Sequence, residues 1–246
     1  MVRLRADLLL VARGLAESRA KAQAAIATGG VTADGMAVTR ASQTLEANAA
    51  LTLTPAHPWV SRAGVKLAYA LERFAIPAQG RHCLDIGAST GGFTQVLLAH
   101  GAAHVLAVDV GRDQLHASLR RDPRVTVREG TDARMLTPAD IAPAPDLVTC
   151  DASFIGLEKI LPQPLALAAT HATLIALVKP QYETGPGRKG ALLTQAMAFQ
   201  VAEAVAHRLD GVQGFCVRTL VDSPILGGDG APEFLLHAAR TSSATA

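Results

Sequence analysis

The stretch Leu84-Asp85-Ile86-Gly87-Ala88-Ser89-Thr90-Gly91-Gly92 most constrains what this chain can become. It follows the apolar lead His82-Cys83-Leu84 and runs into Phe93-Thr94-Gln95-Val96-Leu97-Leu98, whose apolar periodicity is too long for a strand. The reading is strand, glycine-rich turn, helix. Glycines at 87, 91 and 92 let the backbone bend sharply and let a ligand approach the main chain, and the helix start behind them offers unpaired N–H groups. The pattern departs from the dinucleotide fingerprint G-x-G-x-x-G, and without a following Lys-Ser/Thr it is not a Walker loop.

Two acids bracket this turn. Asp85 precedes it, and Asp109 ends the next apolar run, Val105-Leu106-Ala107-Val108. Such a site favours a cation and a ribose over a pyrophosphate. S-adenosylmethionine carries an amino group, a sulfonium and ribose hydroxyls, and is the expected cofactor. A glycine turn after the first strand is also common to doubly wound proteins of every function, so the glycines alone carry no weight.

The chain has 246 residues, 49% of them hydrophobic, which suits one large domain and a small one. A net charge of +2 is too mild to argue nucleic-acid binding unaided. Cys83, Cys150 and Cys216 each fall in an apolar run; an odd count without C-x-x-C spacing argues against a disulfide framework and a zinc site, and fits a reducing cytoplasm. No apolar run is long enough to cross a bilayer, and Met1-Val2-Arg3-Leu4-Arg5 leads into a charged amphipathic stretch, so neither signal peptide nor membrane span is expected.

Residues 1–56 read as a separate α+β module. A helix is expected from Arg5 to Gly14, and a second from Arg19 to about Thr28, capped by Ser18 and burying Ala22, Ala25 and Ile26. Asp34-Gly35 marks a hairpin turn, and Ala50 to Thr54 alternates as a strand. The order R-x-D-x-L-L-V, S-R-x-x-A, glycine, valine, turn glycine resembles the RNA-binding module of a ribosomal small-subunit protein, pseudouridine synthases and tyrosyl-tRNA synthetases, with Ala6 where a leucine is usual. Arg3, Arg5, Arg19 and Lys21 are expected to converge near two helix N-termini as a phosphate-binding surface, although a charged helix face can also be merely solvated.

Residues 57–60 form a proline-punctuated linker. From Ser61, a likeness to a helix start, a helix is expected with Ser61 as cap and Leu67, Ala70, Leu71 and Phe74 as its core stripe. Lys66 lies near its start, where a cation opposes the macrodipole; an exposed lysine covering apolar neighbours is the plainer alternative. Residues 61–246 then alternate strands and helices. Strands are expected near 82–86, 105–109, 125–128, 146–151, 173–178, 215–220 and 234–239, and helices near 93–100, 114–121, 157–169 and 194–209, with the last two strands an antiparallel pair at one edge. The fold class is therefore α/β, a seven-stranded Rossmann-like sheet, with ligands outside the C-terminal strand ends. Asp151 and Lys179 stand at two such ends; each could alternatively be a helix cap or a loop cation.

Lys66, Asp151, Lys179 and Glu233 follow the order K…D…K…E. With S-R-x-G-x-K-L at 61–67, D-x-G-A-S-T-G-G-F-T at 85–94, D-x-S-F-I at 151–155 and V-K-P-Q at 178–181, the chain resembles the FtsJ-type 2′-O-methyltransferases. Joined to the N-terminal module it is similar to the TlyA family, ribosomal RNA methyltransferases that modify cytidines and are also labelled haemolysins. The resemblance implies that Lys179 lies nearest the substrate 2′-hydroxyl as base or proton acceptor, that Asp151 orients it, and that Lys66 and Glu233 complete the set. It also implies that Asp85, Gly87, Ser89, Thr90, Gly91, Gly92, Asp109 and Asp132 contact S-adenosylmethionine, that Arg62 joins the RNA-binding residues, and that no metal takes part. Ribosomal RNA or ribosomal subunits are the implied partners.

Three departures accompany the likeness. His57-Pro58-Trp59-Val60 stands where close relatives have Arg-x-Trp-Val, Asp132 where the family often has asparagine, and Gly230-Ala231-Pro232-Glu233 lacks the asparagine of G-N-x-E. The basic stretch Gly185 to Gly190 could clamp RNA beside the site or be an ordinary surface loop. Two other functions compete with the enzyme: a non-catalytic RNA-binding or assembly factor, and a membrane-lytic protein, for which no amphipathic membrane pattern speaks.

Overall fold

A computed structural model of the chain describes residues 2–55, 57–184 and 193–240. The basic loop expected at 185–190 lies outside the described residues. The chain divides into two compact units, one ending at Pro58 and the other starting at Trp59.

The small unit runs β1 (Arg3–Arg5), α1 (Ala6–Ala12), α2 (Arg19–Ala27), β2 (Val31–Ala33), β3 (Met36–Ala37), β4 (Thr44–Glu46) and β5 (Leu51–Leu53). The first helix starts one residue later than expected because Arg3–Arg5 is extended and pairs antiparallel with Thr44–Glu46. Strands of three residues are too short to show a period, so sequence reading passed over both. Ser18 Oγ accepts from Lys21 N at 3.3 Å at the start of α2. The turn at Asp34 (φ 50°) and Gly35 (φ 75°) joins β2 to β3, and β5 pairs on the other side of β2. Leu9, Leu10, Ala22, Ala25, Ile26, Val31 and Val38 form this unit's own core.

The large unit continues with α3 (Ala63–Arg73), β6 (His82–Ile86), α4 (Gly92–Ala99), β7 (His104–Asp109), α5 (Ala117–Arg120), β8 (Val125–Glu129), β9 (Leu147–Cys150), α6 (Leu157–Ile160), α7 (Pro162–Ala166), β10 (Thr173–Val178), α8 (Pro180–Glu183), α9 (Gln195–Leu209), β11 (Phe215–Asp222) and β12 (Phe234–Arg240). The seven strands form one sheet in the order β11-β12-β10-β9-β6-β7-β8. Only β12 runs against the direction of the other six strands. The final two strands form the expected antiparallel pair at one edge, with β11 outermost and β12 next to β10: Phe234, Leu235 and Leu236 of β12 are fully buried, whereas β11 is mostly half-exposed. Buried side chains cover both faces, with Leu67, Phe93, Val96 and Leu97 on one and Leu157, Leu165, Ala198 and Val205 on the other.

Three helices differ from expectation for local reasons. α3 begins at Ala63, with Arg62 already helical at the cap position and no side-chain cap, so Ser61 contributes only its carbonyl, to Gly64 N at 3.1 Å. The helix expected over 114–121 shrinks to Ala117–Arg120 because Glu129 accepts from the N–H groups of Asp113, Gln114 and Leu115, each at 2.9 Å. The helix expected over 157–169 breaks at Pro162, whose missing N–H cannot continue the ladder. Among the described residues, no helix is long and apolar enough to cross a membrane.

Candidate active site

β6, β9 and β10 are adjacent and parallel, so the residues leaving their C-terminal ends meet. Gly87, at φ +78°, turns the chain out of β6 so tightly that a Cβ there would lie 3.0 Å from the backbone of Asp151 and Ala152. A side chain would therefore push the cofactor turn off the end of β9. Asp151 N in turn donates to Ile86 O at 2.9 Å.

Lys179 leaves β10 and reaches sideways to this point. Its Nζ lies 2.6 Å from Asp151 Oδ1 and donates to Asp151 O at 3.2 Å and to Ser153 Oγ at 2.8 Å. The Oδ1 contact is an ion pair, and that buried oxygen has no other partner among the described residues. Lys66, from the second turn of α3, is buried and pairs with the buried carboxylate of Glu233, just before β12. Lys66, Asp151 and Lys179 share the wall of a cavity of about 370 Å³ with Ser61, Arg62 and Thr90. Glu233 is not in that wall; it holds Lys66 through the ion pair.

A second cavity of about 530 Å³ adjoins the first and shares Gly87, Ser89, Asp151 and Ser153 with it. Asp109 and Asp132 stand in its wall. Asp109 accepts from Ser89 N at 2.8 Å and Gly111 N at 2.7 Å, which fixes the carboxylate at the strand end. Asp132 accepts from Arg134 N at 3.0 Å and pairs with the Arg134 guanidinium at 2.5 Å. The bond from its own neighbour holds the Asp132 carboxyl below its ordinary value. Val110 and Phe154, 72% and 87% exposed, line the same space as apolar side chains without cover. A space of this size, with fixed carboxylates at strand ends and bare apolar side chains, fits the ribose, cationic tail and flat base of S-adenosylmethionine.

Three of the residues expected to touch the cofactor do not reach either cavity. Asp85 is fully buried, accepting from Thr94 Oγ1 at 2.7 Å and Thr149 Oγ1 at 3.0 Å. Burial pushes its carboxyl up to about 6 against the pull of both hydroxyls. The strand's alternation sends this side chain into the layer beneath the turn, where the threonines replace water as partners. Gly91 and Gly92 face protein as well: Cβ atoms there would meet Leu119 and Leu115, and Ser61 Oγ and Gly64 N. Gly87, Ser89, Thr90, Asp109 and Asp132 do line the cavities.

Four of the cations expected to face RNA, Arg3, Arg5, Arg19 and Lys21, each have a carboxylate partner. Arg5 and Arg19 meet at buried Asp7, at 3.0 and 2.8 Å, and Gln23 Nε2 adds a third bond at 2.9 Å. The Arg5 hydrogen bond, with those of Gln23 and Arg19, holds the Asp7 carboxyl well below the usual carboxylate range. Arg3 and Lys21 do not join them; Arg3 lies 3.5 Å from Glu46 and Lys21 2.6 Å from Glu17. Arg62 belongs to the large unit, lines the smaller cavity and donates to Leu226 O at 3.0 Å. Sequence reading missed the roles of Asp7, Thr94, Thr149 and Ser153. For Ser153 the signal was present, since it is the serine of the quoted D-x-S-F-I; its distance to Lys179 was not.

Residues 59–240 match the family model described as FtsJ-like methyltransferase. The chain is 50% identical over 190 residues, 76% of its length and 71% of the relative's, to the 16S/23S rRNA (cytidine-2′-O)-methyltransferase TlyA of Mycobacterium tuberculosis strain ATCC 25618 / H37Rv. It is 35% identical over 239 residues, 95% of its length and 99% of the relative's, to Hemolysin A of Brachyspira hyodysenteriae. A solved structure from Streptococcus thermophilus, provisionally named a hemolysin, matches with a TM-score of 0.76 at 36% identity, covering 99% of this chain and 90% of that one.

Proposed function

The chain belongs to the FtsJ-like methyltransferase family and to its TlyA branch, and from that premise we propose that it methylates a ribose 2′-hydroxyl, that of a cytidine in ribosomal RNA, using S-adenosylmethionine. The observation that carries this reading is the Lys179–Asp151 pair at the junction of two cavities, one of a size for the methyl donor and the other open to an acceptor. S-adenosylmethionine supplies an electrophilic methyl group on a sulfonium.

Lys179 and Asp151 orient the acceptor hydroxyl. As the oxygen–carbon bond forms and the sulfur–carbon bond breaks, the hydroxyl proton passes to this pair, so no charge is stranded on the ether oxygen. Asp151 is suited to that task because the lysine holds its carboxylate beyond the end of β9, in the wall that the two cavities share. Lys66 adds a second cation to the wall, held by Glu233 so that it cannot swing onto the reacting oxygen. Alignment of the acceptor with the methyl group supplies most of the remaining acceleration. Ser89, Asp109 and Asp132 hold the donor, and the small unit contacts RNA phosphates, which carry no base information.

The test is to incubate the protein with methyl-labelled S-adenosylmethionine and unmodified ribosomal subunits and to map the label. Label on a ribose 2′-oxygen is the expected result, and label on a base would overturn the reading. Lys179→Ala should bind donor and RNA with near wild-type affinity yet transfer at least about 100-fold more slowly.

A further inference from the structure

A lysine ammonium that is only 9% exposed needs a partner for each of its three N–H groups. Asp151 supplies two oxygens, Oδ1 at 2.6 Å and the main-chain O at 3.2 Å. The third position is filled by Ser153 Oγ at 2.8 Å, the shorter of the two directed hydrogen bonds. We propose that Ser153 is a positioning residue for methyl transfer, one that completes the acceptor set of Lys179 and so fixes where its nitrogen stands relative to the acceptor hydroxyl. This inference rests on the methyltransferase reading above.

The surrounding geometry supports such a role. Ser153 is exposed and belongs to the walls of both cavities, so its Oγ sits where donor and acceptor spaces meet. Because Oγ accepts from Lys179, its own proton must point elsewhere, toward the cavities. The chain is bent to put it there: Phe154, next along, has φ +67°, a left-handed conformation that costs a bulky residue free energy and persists only when neighbours impose it. Those neighbours belong to the segment that follows Lys179. The Phe154 and Tyr182 rings lie 5.0 Å apart, and Glu183 Oε1 accepts from Leu157 N at 3.0 Å. The segments leaving β9 and β10 are thus joined at 153–179, 154–182 and 157–183, and the serine–lysine separation is held from both sides.

Ser153→Ala leaves one ammonium N–H without its protein partner. Single-turnover methyl transfer should slow by about 10- to 100-fold, the usual effect of losing one hydrogen bond to a charged group. S-adenosylmethionine affinity should stay within about twofold, so that the loss falls on the transfer step and not on donor binding. Ser153→Thr retains the hydroxyl and should recover most of the rate. A wild-type rate for Ser153→Ala, with the wild type itself active, would overturn this inference alone. A rate loss matched by an equal loss of donor affinity would also overturn it, by assigning the serine to binding. Absence of ribose methylation by the wild type would overturn both this inference and the reading beneath it.

Discussion

Asp85 lies directly under the cofactor turn, and its burial raises the carboxyl from 3.8 to about 6. Between those pH values the native chain binds a proton that the unfolded chain has released. Stability therefore falls as pH rises through this window, by on the order of 3 kcal/mol. Asp85→Asn removes the titration while keeping an acceptor for Thr94 or Thr149. Its melting temperature should change much less between pH 4 and 6.5 than that of the wild type; parallel pH profiles would refute the assignment. The contrast with Asp151 is instructive at this scale. Both acids were legible as residues at or near strand ends, but only Asp151 lies past the last strand residue, where the side chain is free to enter the cavity. Nothing in the linear pattern announces that hydroxyls from positions 94 and 149 enclose the other.

Among the elements, α3 is the one whose placement matters most to the site, because it carries Lys66 and nothing in its own sequence says what it packs against. It crosses the start of α4 closely, where a Cβ on Gly92 would lie 2.9 Å from Gly64 N, and it packs on Trp59, where a Cβ on Gly64 would lie 2.5 Å from Trp59 Cγ. Gly64→Ala should displace Trp59 or tilt the helix, costing roughly 1–3 kcal/mol by overpacking and moving Lys66, two residues on. A lower melting temperature together with slower methyl transfer is expected, and an unchanged melting curve would show that the indole yields freely. The central strands were legible because short, mainly apolar runs bounded by turns admit few other readings. The shortened α5 and the break before α7 were decided by Glu129 capturing three N–H groups and by Pro162. The first of these is a contact across fifteen residues that no local pattern reveals.

At the scale of the whole molecule, the small unit has an apolar core with one buried carboxylate, Asp7, and the large unit is a sheet with two apolar faces. Asp7 collects Arg5, Arg19 and Gln23 and joins β1, α1 and α2. With its carboxyl held below the ordinary range, it stabilises the native unit above the unfolded value near 4, and that contribution is lost as pH falls toward strong acid. Asp7→Ala should raise amide hydrogen exchange across residues 2–55 while leaving the protection of 59–240 and donor affinity unchanged. Equal increases in both would show that Asp7 supports more than its own unit.

The amino-acid order alone determined the alternation of strand and helix, the glycine turn, and the ionisable residues stranded at strand ends, because these follow from local periodicity and from side chains that have no local partner. Tertiary structure alone decided which of those residues meet. Whether Asp85 faces a ligand or two threonines, whether Arg5 faces phosphate or Asp7, and whether Lys179 has two acceptors or three depend on distances between segments far apart in the chain, which only packing sets.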